Sequence, residues 1–147
     1  MYDSILVATD GSDAATDAVE RGVELARRLE VPVHGVAVVE ERTAYDNAIV
    51  DPEEVEARLE ERAQAALSAL EEAALEAGVS AVTAIRSGVP HEEILTYAAE
   101  HDVDVIVVGA RGRSSFRRAL LGSTADAVVR YADVPVLLVG GEDSRSQ

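Results

Sequence analysis

Residues 102–140 read DVDVIVVGARGRSSFRRALLGSTADAVVRYADVPVLLVG. One apolar strand pattern precedes a glycine-rich loop and a helix pattern in this stretch, and a second apolar strand pattern follows them. The apolar runs at 103–108 and 134–139 have the length of buried strands, and 124–131 has helical periodicity. Strands that are apolar almost throughout and alternate with helices form a parallel sheet covered on both faces. This stretch therefore predicts an α/β fold.

The rest of the chain repeats the alternation. Further strand patterns lie at 4–9, 33–39 and 81–85. One helix pattern follows the turn at 10–12, a second runs from Pro52 to Gly78, and a third begins at Pro90. We expect a five-stranded parallel open sheet with helices on both faces, a Rossmann-like three-layer sandwich. It should form one domain, residues 1–141, followed by a disordered tail at 142–147.

The net charge of the chain limits the classes of partner that it can bind. The 147 residues carry a net charge of −15, with 28 acidic residues and 13 basic ones, all of them arginine. Nucleic acid and anionic membrane surfaces repel such a protein, so we expect neither as a partner. Abundant acids without lysine are typical of proteins from a salt-rich cytoplasm, as in halophilic archaea. Codon bias in a GC-rich genome is the alternative explanation.

Cysteine and histidine usage argues against a metal centre. The chain has no cysteine, and His34, His91 and His101 are too scattered for a metal-ligand spacing. We therefore expect structural or surface roles for these histidines. No signal pattern precedes the first strand, and no apolar run reaches the ~20 residues that span a bilayer, so we expect a cytoplasmic protein.

The loop after the fourth strand pattern is the candidate anion site. Residues 109–125 contain four arginines and no acid. The arginines and the glycines around them are Arg111, Arg113, Arg117, Arg118, Gly109, Gly112 and Gly122. Glycines allow positive φ and close backbone approach, and the helix start at 122–124 offers free N–H groups and a favourable dipole to phosphate. Two alternatives stay open: Ser123 or Thr124 only caps the helix, and the arginines lie on a short solvated helix at 114–121.

Two common phosphate motifs are excluded. A Walker A loop needs a lysine, and the dinucleotide fingerprint needs G-x-G-x-x-G where this chain has DGSD at 10–13. The first, second and fourth strand patterns end near Asp10, Glu40 and Gly109, and these ends meet at one rim of a parallel sheet, where ligands bind. We predict the site at this rim, with the loop at 40–51 as a mobile cover.

The spacing Gly109-x2-Gly112-x9-Gly122-Ser123 resembles the nucleotide-binding loop of the universal stress protein family. ILVATDGS at 5–12 is similar to that family's first strand and turn, and SGVPHEEI at 87–94 is similar to the start of its third helix. Residues 102–140 follow the family pattern throughout. The resemblance implies an adenine nucleotide alpha hydrolase-like sandwich, usually dimeric, whose motif-bearing branch binds ATP.

The resemblance also implies a set of site residues. Those that hold the phosphates and ribose are Gly109, Gly112, Gly122, Ser123 and, beside them, Thr124. The arginines beside the glycines, whose individual roles stay open, are Arg111 and Arg113. Asp10 lies near the ribose or a phosphate-bound Mg²⁺, or is only a helix-start acid. The adenine wall, whose members fit the core equally well, is Ala8 (where many relatives have Pro), Thr9, Val38 and Val108.

These features predict an ATP-binding regulatory module of the stress response. The alternative is a slow ATPase or phosphotransferase on the same site, but no carboxylate pair, catalytic histidine or lysine serves the loop, so we predict no catalytic residue. A dimeric scaffold with an empty cleft is a third hypothesis. The last strand is apolar and uncharged, and Pro135 suits an edge, so we expect a homodimer in which this strand pairs with its copy.

Overall fold

The computed structural model describes residues 2–40, 52–111 and 121–140. Strands and helices alternate within these ranges, and the predicted α/β fold is confirmed. The strands are β1 (Ile5–Ala8), β2 (Val33–Val39), β3 (Ala81–Ser87), β4 (Val105–Gly109) and β5 (Val136–Val139). The helices are α1 (Asp13–Leu29), α2 (Pro52–Ala77), α3 (Pro90–Glu100) and α4 (Ser123–Tyr131). The expected tail at 142–147 and most of the expected cover, 41–51, lie outside the described residues.

The five strands run parallel in the order β3-β2-β1-β4-β5. At the centre, Ile5 of β1 pairs with Val33 of β2 on one side and with Val105 of β4 on the other. The chain builds outward from β1 to β3, then returns across the sheet to add β4 and β5. The predicted parallel sheet and the edge position of β5 are therefore confirmed, and the strand order reverses between β1 and β4, where such sheets form a crevice.

Each face of the sheet has its own apolar core, because successive residues of a strand point to opposite faces. Ile5 and Val7 pack against α1 and α2 on one face. Leu6 and Val36 pack against α3 and α4 on the other. The cores are almost entirely aliphatic, as a chain with 3% aromatic residues requires. Among the described residues the exception is Tyr97 of α3, which is only 2% exposed and which the helical periodicity did not identify.

The helix ends follow the local signals in the sequence. Ser12 caps α1, because its Oγ accepts the Ala15 N–H at 3.2 Å. α2 ends one residue before Gly78, whose φ of +74° lies in the left-handed region that favours glycine. α2 is the longest helix described, and none of the described helices combines the length and apolar character needed to cross a membrane.

Two of the three histidines are neighbours in the fold. Nδ1 of His34 on β2 lies 2.6 Å from the hydroxyl oxygen of Tyr97, and the His101 ring stacks on the Tyr97 ring with centroids 3.9 Å apart. Burial, and then the charge of His101, lowers the pKa of His34. The histidines that seemed scattered in sequence thus pack around one buried tyrosine.

Candidate functional site

A cleft of about 350 Å³ opens at the carboxyl ends of the strands. It lies where the strand order reverses, between the ends of β1, β2 and β4, and is flanked by α2 and by the first turns of α3 and α4. Its volume falls within the range of about 300–1,000 Å³ that is typical of small-molecule sites. The fold therefore forms a cavity at the rim where the sequence predicts a site.

The described members of the predicted site set all line this cleft. They are Ala8, Thr9, Asp10, Val38, Val108, Gly109, Arg111, Gly122, Ser123 and Thr124. Gly112 and Arg113, together with Arg117 and Arg118, lie outside the described residues. Residues that are as far apart in sequence as Ala8 and Thr124 are thus brought together by the topology of the sheet.

The turn between β1 and α1 has its own network of hydrogen bonds. Oδ1 of Asp10 accepts the Ser12 N–H at 2.9 Å, and Oγ1 of Thr9 accepts the Gly11 N–H at 3.2 Å. Gly11 has a φ of +81°. Asp10 therefore has the turn-building role that the sequence left open as an alternative, while its side chain also lines the cleft.

Gly109 has a packing role that the sequence did not reveal. A Cβ at this position would lie 2.9 Å from the backbone carbon and oxygen of Ala14, so the end of β4 touches the first turn of α1. Neither of the two described loop glycines uses the positive φ that glycine permits: Gly109 ends a strand, and Gly122 has a φ of −65°. At Gly109, close approach is the property of glycine that matters.

The first turn of α4 opens onto the cleft without a side-chain cap. Its N-cap is Gly122, so the hypothesis that Ser123 or Thr124 caps the helix is wrong. The Gly122 N–H donates to the Ala110 carbonyl oxygen at 2.7 Å and thereby joins the two ends of the loop. The first N–H groups of a helix have no acceptor within it. Ser123, Thr124 and Ala125, which line the cleft, occupy these positions.

One wall of the cleft was missed by the sequence analysis. It consists of Leu59, Arg62 and Ala63 on α2, and Pro90 and Ile94 on α3 form a second missed part of the lining. Leu59 and Ala63 belong to an apolar stripe that predicts burial but not proximity to a site. The 26 residues of α2 extend about 39 Å against about 23 Å for the 7 of β2, so the helix extends past the strand.

The cleft is electrostatically mixed. Its lining includes two acidic residues, Asp10 and Glu40, and two arginines, Arg62 and Arg111. Within the described ranges, no group of three or more histidine, aspartate or glutamate side chains is placed to hold a metal ion. The charges present, with the α4 terminus, suit a ligand that carries anionic groups at one end.

Comparison with known proteins identifies the family. The model of the universal stress protein family matches residues 1–140. This chain belongs to that family. Universal stress protein MJ0531 of Methanocaldococcus jannaschii is 34% identical over 140 residues, which cover 95% of this chain and 82% of that protein. Universal stress protein YxiE of Bacillus subtilis is 33% identical over 147 residues, covering 95% of this chain and 99% of YxiE.

Solved universal stress protein structures share the fold. UspA from Lactobacillus plantarum is 30% identical with a TM-score of 0.78, covering 94% of this chain and 97% of that one. A universal stress protein in complex with cAMP is 26% identical with a TM-score of 0.72, covering 94% and 97%. The universal stress protein from Archaeoglobus fulgidus in complex with dAMP is 28% identical with a TM-score of 0.65, covering 94% and 98%.

Proposed function

We propose that this universal stress protein binds ATP, or a closely related adenine nucleotide, in the cleft and acts as a nucleotide-dependent regulatory module of the stress response. The observation that carries the proposal is the first turn of α4, which starts at Gly122 without a side-chain cap and lines the cleft. A phosphate supplies the acceptors that such a helix start lacks. The cAMP and dAMP complexes of two structural neighbours support a nucleotide as the ligand.

The proposed orientation follows from the chemistry of the two sides of the cleft. The phosphates lie against Gly109, Arg111 and residues 122–124, with Gly112 and Arg113 of the same motif beside them. The base lies against the apolar wall, which consists of Ala8, Thr9, Val38 and Val108. Asp10 lies near the ribose or a Mg²⁺ carried by the phosphates, while its Oδ1 accepts the Ser12 N–H.

Regulation fits the site better than rapid catalysis. Hydrolysis of ATP needs an oriented water and compensation of charge on the transferred phosphoryl group. Oδ1 of Asp10 is already engaged by the Ser12 N–H, and the remaining carboxylate of the described lining, Glu40, belongs to the β2 side. We expect turnover with Mg²⁺ well below the ~1 s⁻¹ of slow enzymes. Turnover at that rate, abolished by Asp10→Asn or Glu40→Gln without loss of binding, would replace the regulator with an ATPase or phosphotransferase.

Calorimetric titration with ATP, AMP and cAMP tests the proposal directly. The wild-type protein should bind ATP. Gly122→Val should abolish binding, because the valine side chain covers the start of α4. The unfolding transition of this variant should stay cooperative. Ser12→Ala is the matched control, since it alters the start of α1 at the same rim and leaves α4 intact. Wild-type protein that binds none of the three nucleotides, or Gly122→Val protein that binds them equally well, contradicts the proposal.

We also propose a homodimer in which β5 pairs with its own copy. β5 is a sheet edge, and beside it Leu137, Val129 and Tyr131 are 41%, 45% and 64% exposed. A two-fold pairing closes both open edges and covers these apolar side chains. Light scattering in high salt should give twice the mass of the chain, and Leu137→Arg should give a monomer. A wild-type monomer at micromolar concentration contradicts the proposal.

The acidic composition supports a cytoplasmic protein of a salt-rich cell, such as a halophilic archaeon. At ~1 M salt the Debye length falls to about 3 Å, which screens repulsion among the surface carboxylates of a chain with net charge −15. The melting temperature should therefore rise between ~0.1 M and ~2 M KCl. A flat or falling melting temperature would leave codon bias as the explanation of the composition.

A further inference from the structure

Arg62 of α2 and Arg21 of α1 differ from the other arginines of the described helices and strands, and of these two Arg62 alone lines the cleft. The other arginines are paired with a carboxylate: Arg27 and Arg28 with Glu24, Arg58 with Glu54, Arg86 with Glu100, and Arg130 with Asp126. None of the described carboxylates forms an ion pair with Arg62. The residues three and four positions away on α2 are Arg58, Leu59, Ala65 and Ala66, so the helix itself supplies no acid. Among the described residues, Arg62 is therefore an arginine at the cleft without an ion-pair partner.

The position of Arg62 assigns it to one side of the cleft. Its neighbours Leu59 and Ala63 pack with Val39 at the end of β2, and all of them line the cleft. The α4 terminus and Arg111 lie on the β4 side, two strand spacings or about 10 Å away across β1. A nucleotide whose phosphates lie at α4 therefore extends its base toward the side where Arg62 lies.

We infer that Arg62 stacks its guanidinium group on the base of the bound nucleotide. This inference rests on the proposed function and adds a specificity-determining residue to it. A guanidinium is planar, delocalised and weakly hydrated, so it stacks on aromatic rings in a way that the compact ammonium of lysine does not. On the cleft side of α2, the apolar Leu59 and Ala63 line the cleft together with Arg62 and offer contact surface to a heteroaromatic ring. The cleft thereby selects nucleotides over inorganic polyphosphates and sugar phosphates.

Titrations of Arg62→Lys and Arg62→Leu with ATP and with tripolyphosphate test the inference. Both variants should bind ATP about tenfold more weakly than wild type, which corresponds to about 1.4 kcal/mol. Arg62→Lys keeps the charge and loses the planar group, so its affinity for tripolyphosphate should equal that of the wild type. A loss confined to the ligand with a base is the signature of stacking.

Arg58→Leu is the matched control. Arg58 lies one turn from Arg62 on α2 and does not line the cleft, so the substitution removes the same charge outside the site. It should leave the ratio of the ATP and tripolyphosphate affinities unchanged. Three outcomes overturn the inference while nucleotide binding by the wild type stands. Arg62→Lys binds ATP as tightly as the wild type does, Arg62→Lys loses affinity equally for ATP and tripolyphosphate, or Arg58→Leu loses as much affinity for ATP as the Arg62 variants do. Wild-type protein that binds no nucleotide overturns the proposed function itself, and the stacking role with it.

Discussion

The two ends of the parallel sheet differ in how their backbone groups are used. At the amino end, the chain folds back where α1, α2 and α3 finish: the N–H groups of Val31, Val79 and Val103 donate to carbonyl oxygens of the preceding helix at 3.0, 2.8 and 3.0 Å. The Asp104 carboxylate accepts the N–H groups of Asp3 and Ser4 at 2.6 and 3.2 Å. This end of the molecule is closed by its own hydrogen bonds.

At the carboxyl end, only α1 among the three helices with a described N-cap receives a side-chain cap. Ser12 caps α1, whereas α3 and α4 begin at Val89 and Gly122 without one. Because every crossover helix runs antiparallel to the strands, the helix N-termini, with their positive dipole ends, collect at this rim. The helix ends at the amino end are thus closed by backbone hydrogen bonds, whereas two of the three described helix starts at the carboxyl end have no side-chain cap.

Gly109→Ala should cause the largest change, a loss of about 3 kcal/mol in the free energy of unfolding. The added Cβ would lie 2.9 Å from the Ala14 backbone, so α1 must move away from β4. Chemical denaturation measures the change. The result shows whether Gly109, at the carboxyl end of the sheet, is needed for the packing of β4 against α1.

Gly78→Ala is the control for Gly109→Ala. A Cβ at Gly78 meets no atom within 4 Å, but its φ of +74° strains any other residue. The loss should therefore be about 1 kcal/mol. If Gly109→Ala proves no more destabilising than Gly78→Ala, the contact between β4 and α1 is not tight.

Gly122→Asp should weaken ATP binding by about 30-fold, or about 2 kcal/mol. With a φ of −65° and a ψ of 157°, the backbone accepts any residue, and an aspartate there would cap α4 as Ser12 caps α1. The carboxylate then competes with phosphate for the same N–H groups. Calorimetry measures the affinity, and Gly122→Ser, which caps without charge, should show a smaller loss. Unchanged binding in both variants would mean that the α4 terminus does not hold the phosphates.

Asp104→Ala tests the closed end. Removing the acceptor of two backbone N–H groups should lower the free energy of unfolding by about 1 kcal/mol and leave ATP affinity unchanged. Asp133→Ala removes the same charge from an exposed position and is the control. Thermal unfolding and calorimetry together decide the outcome. A change in nucleotide affinity for Asp104→Ala would show that the two ends are coupled.

His34→Gln should have the smallest effect, visible only in the pH dependence of stability. Burial and the charge of His101 lower the pKa of His34 below 6.5, so the unfolded chain binds its proton more readily. The contribution of His34 to stability is therefore complete above about pH 6.5 and is lost as the pH falls below that value. The melting temperature of the wild type should fall more than that of His34→Gln between pH 7 and pH 5. If the melting temperatures of the two proteins fall equally between pH 7 and pH 5, the lowered pKa of His34 is contradicted.

Much of the fold was predictable because its determinants are local. The continuous apolar runs predicted the parallel strands, although only β1, β2 and β4 are mostly buried and the edge strands β3 and β5 are partly exposed. Pro52 and Gly78 marked the ends of α2 within a residue, and the apolar, uncharged β5 indicated a sheet edge. The placement of the site at the strand ends followed from the same parallel topology. The packing role of Gly109 and the contact of His34 with Tyr97 were not predictable, because each depends on a residue that is distant in sequence.

The sequence alone determined the alternation of strands and helices, the motif glycines and the family, since periodicity and spacing along the chain carry that information. Tertiary structure decided what the individual residues do. Gly122, rather than Ser123 or Thr124, became the N-cap of α4, and the packing of α2 against the end of β2 placed Arg62 beside the cleft. Capping depends on local dihedral angles, and proximity depends on how elements of unequal length pack. Capping and proximity are both properties of the folded backbone, so they cannot be predicted from the spacing of residue types along the chain.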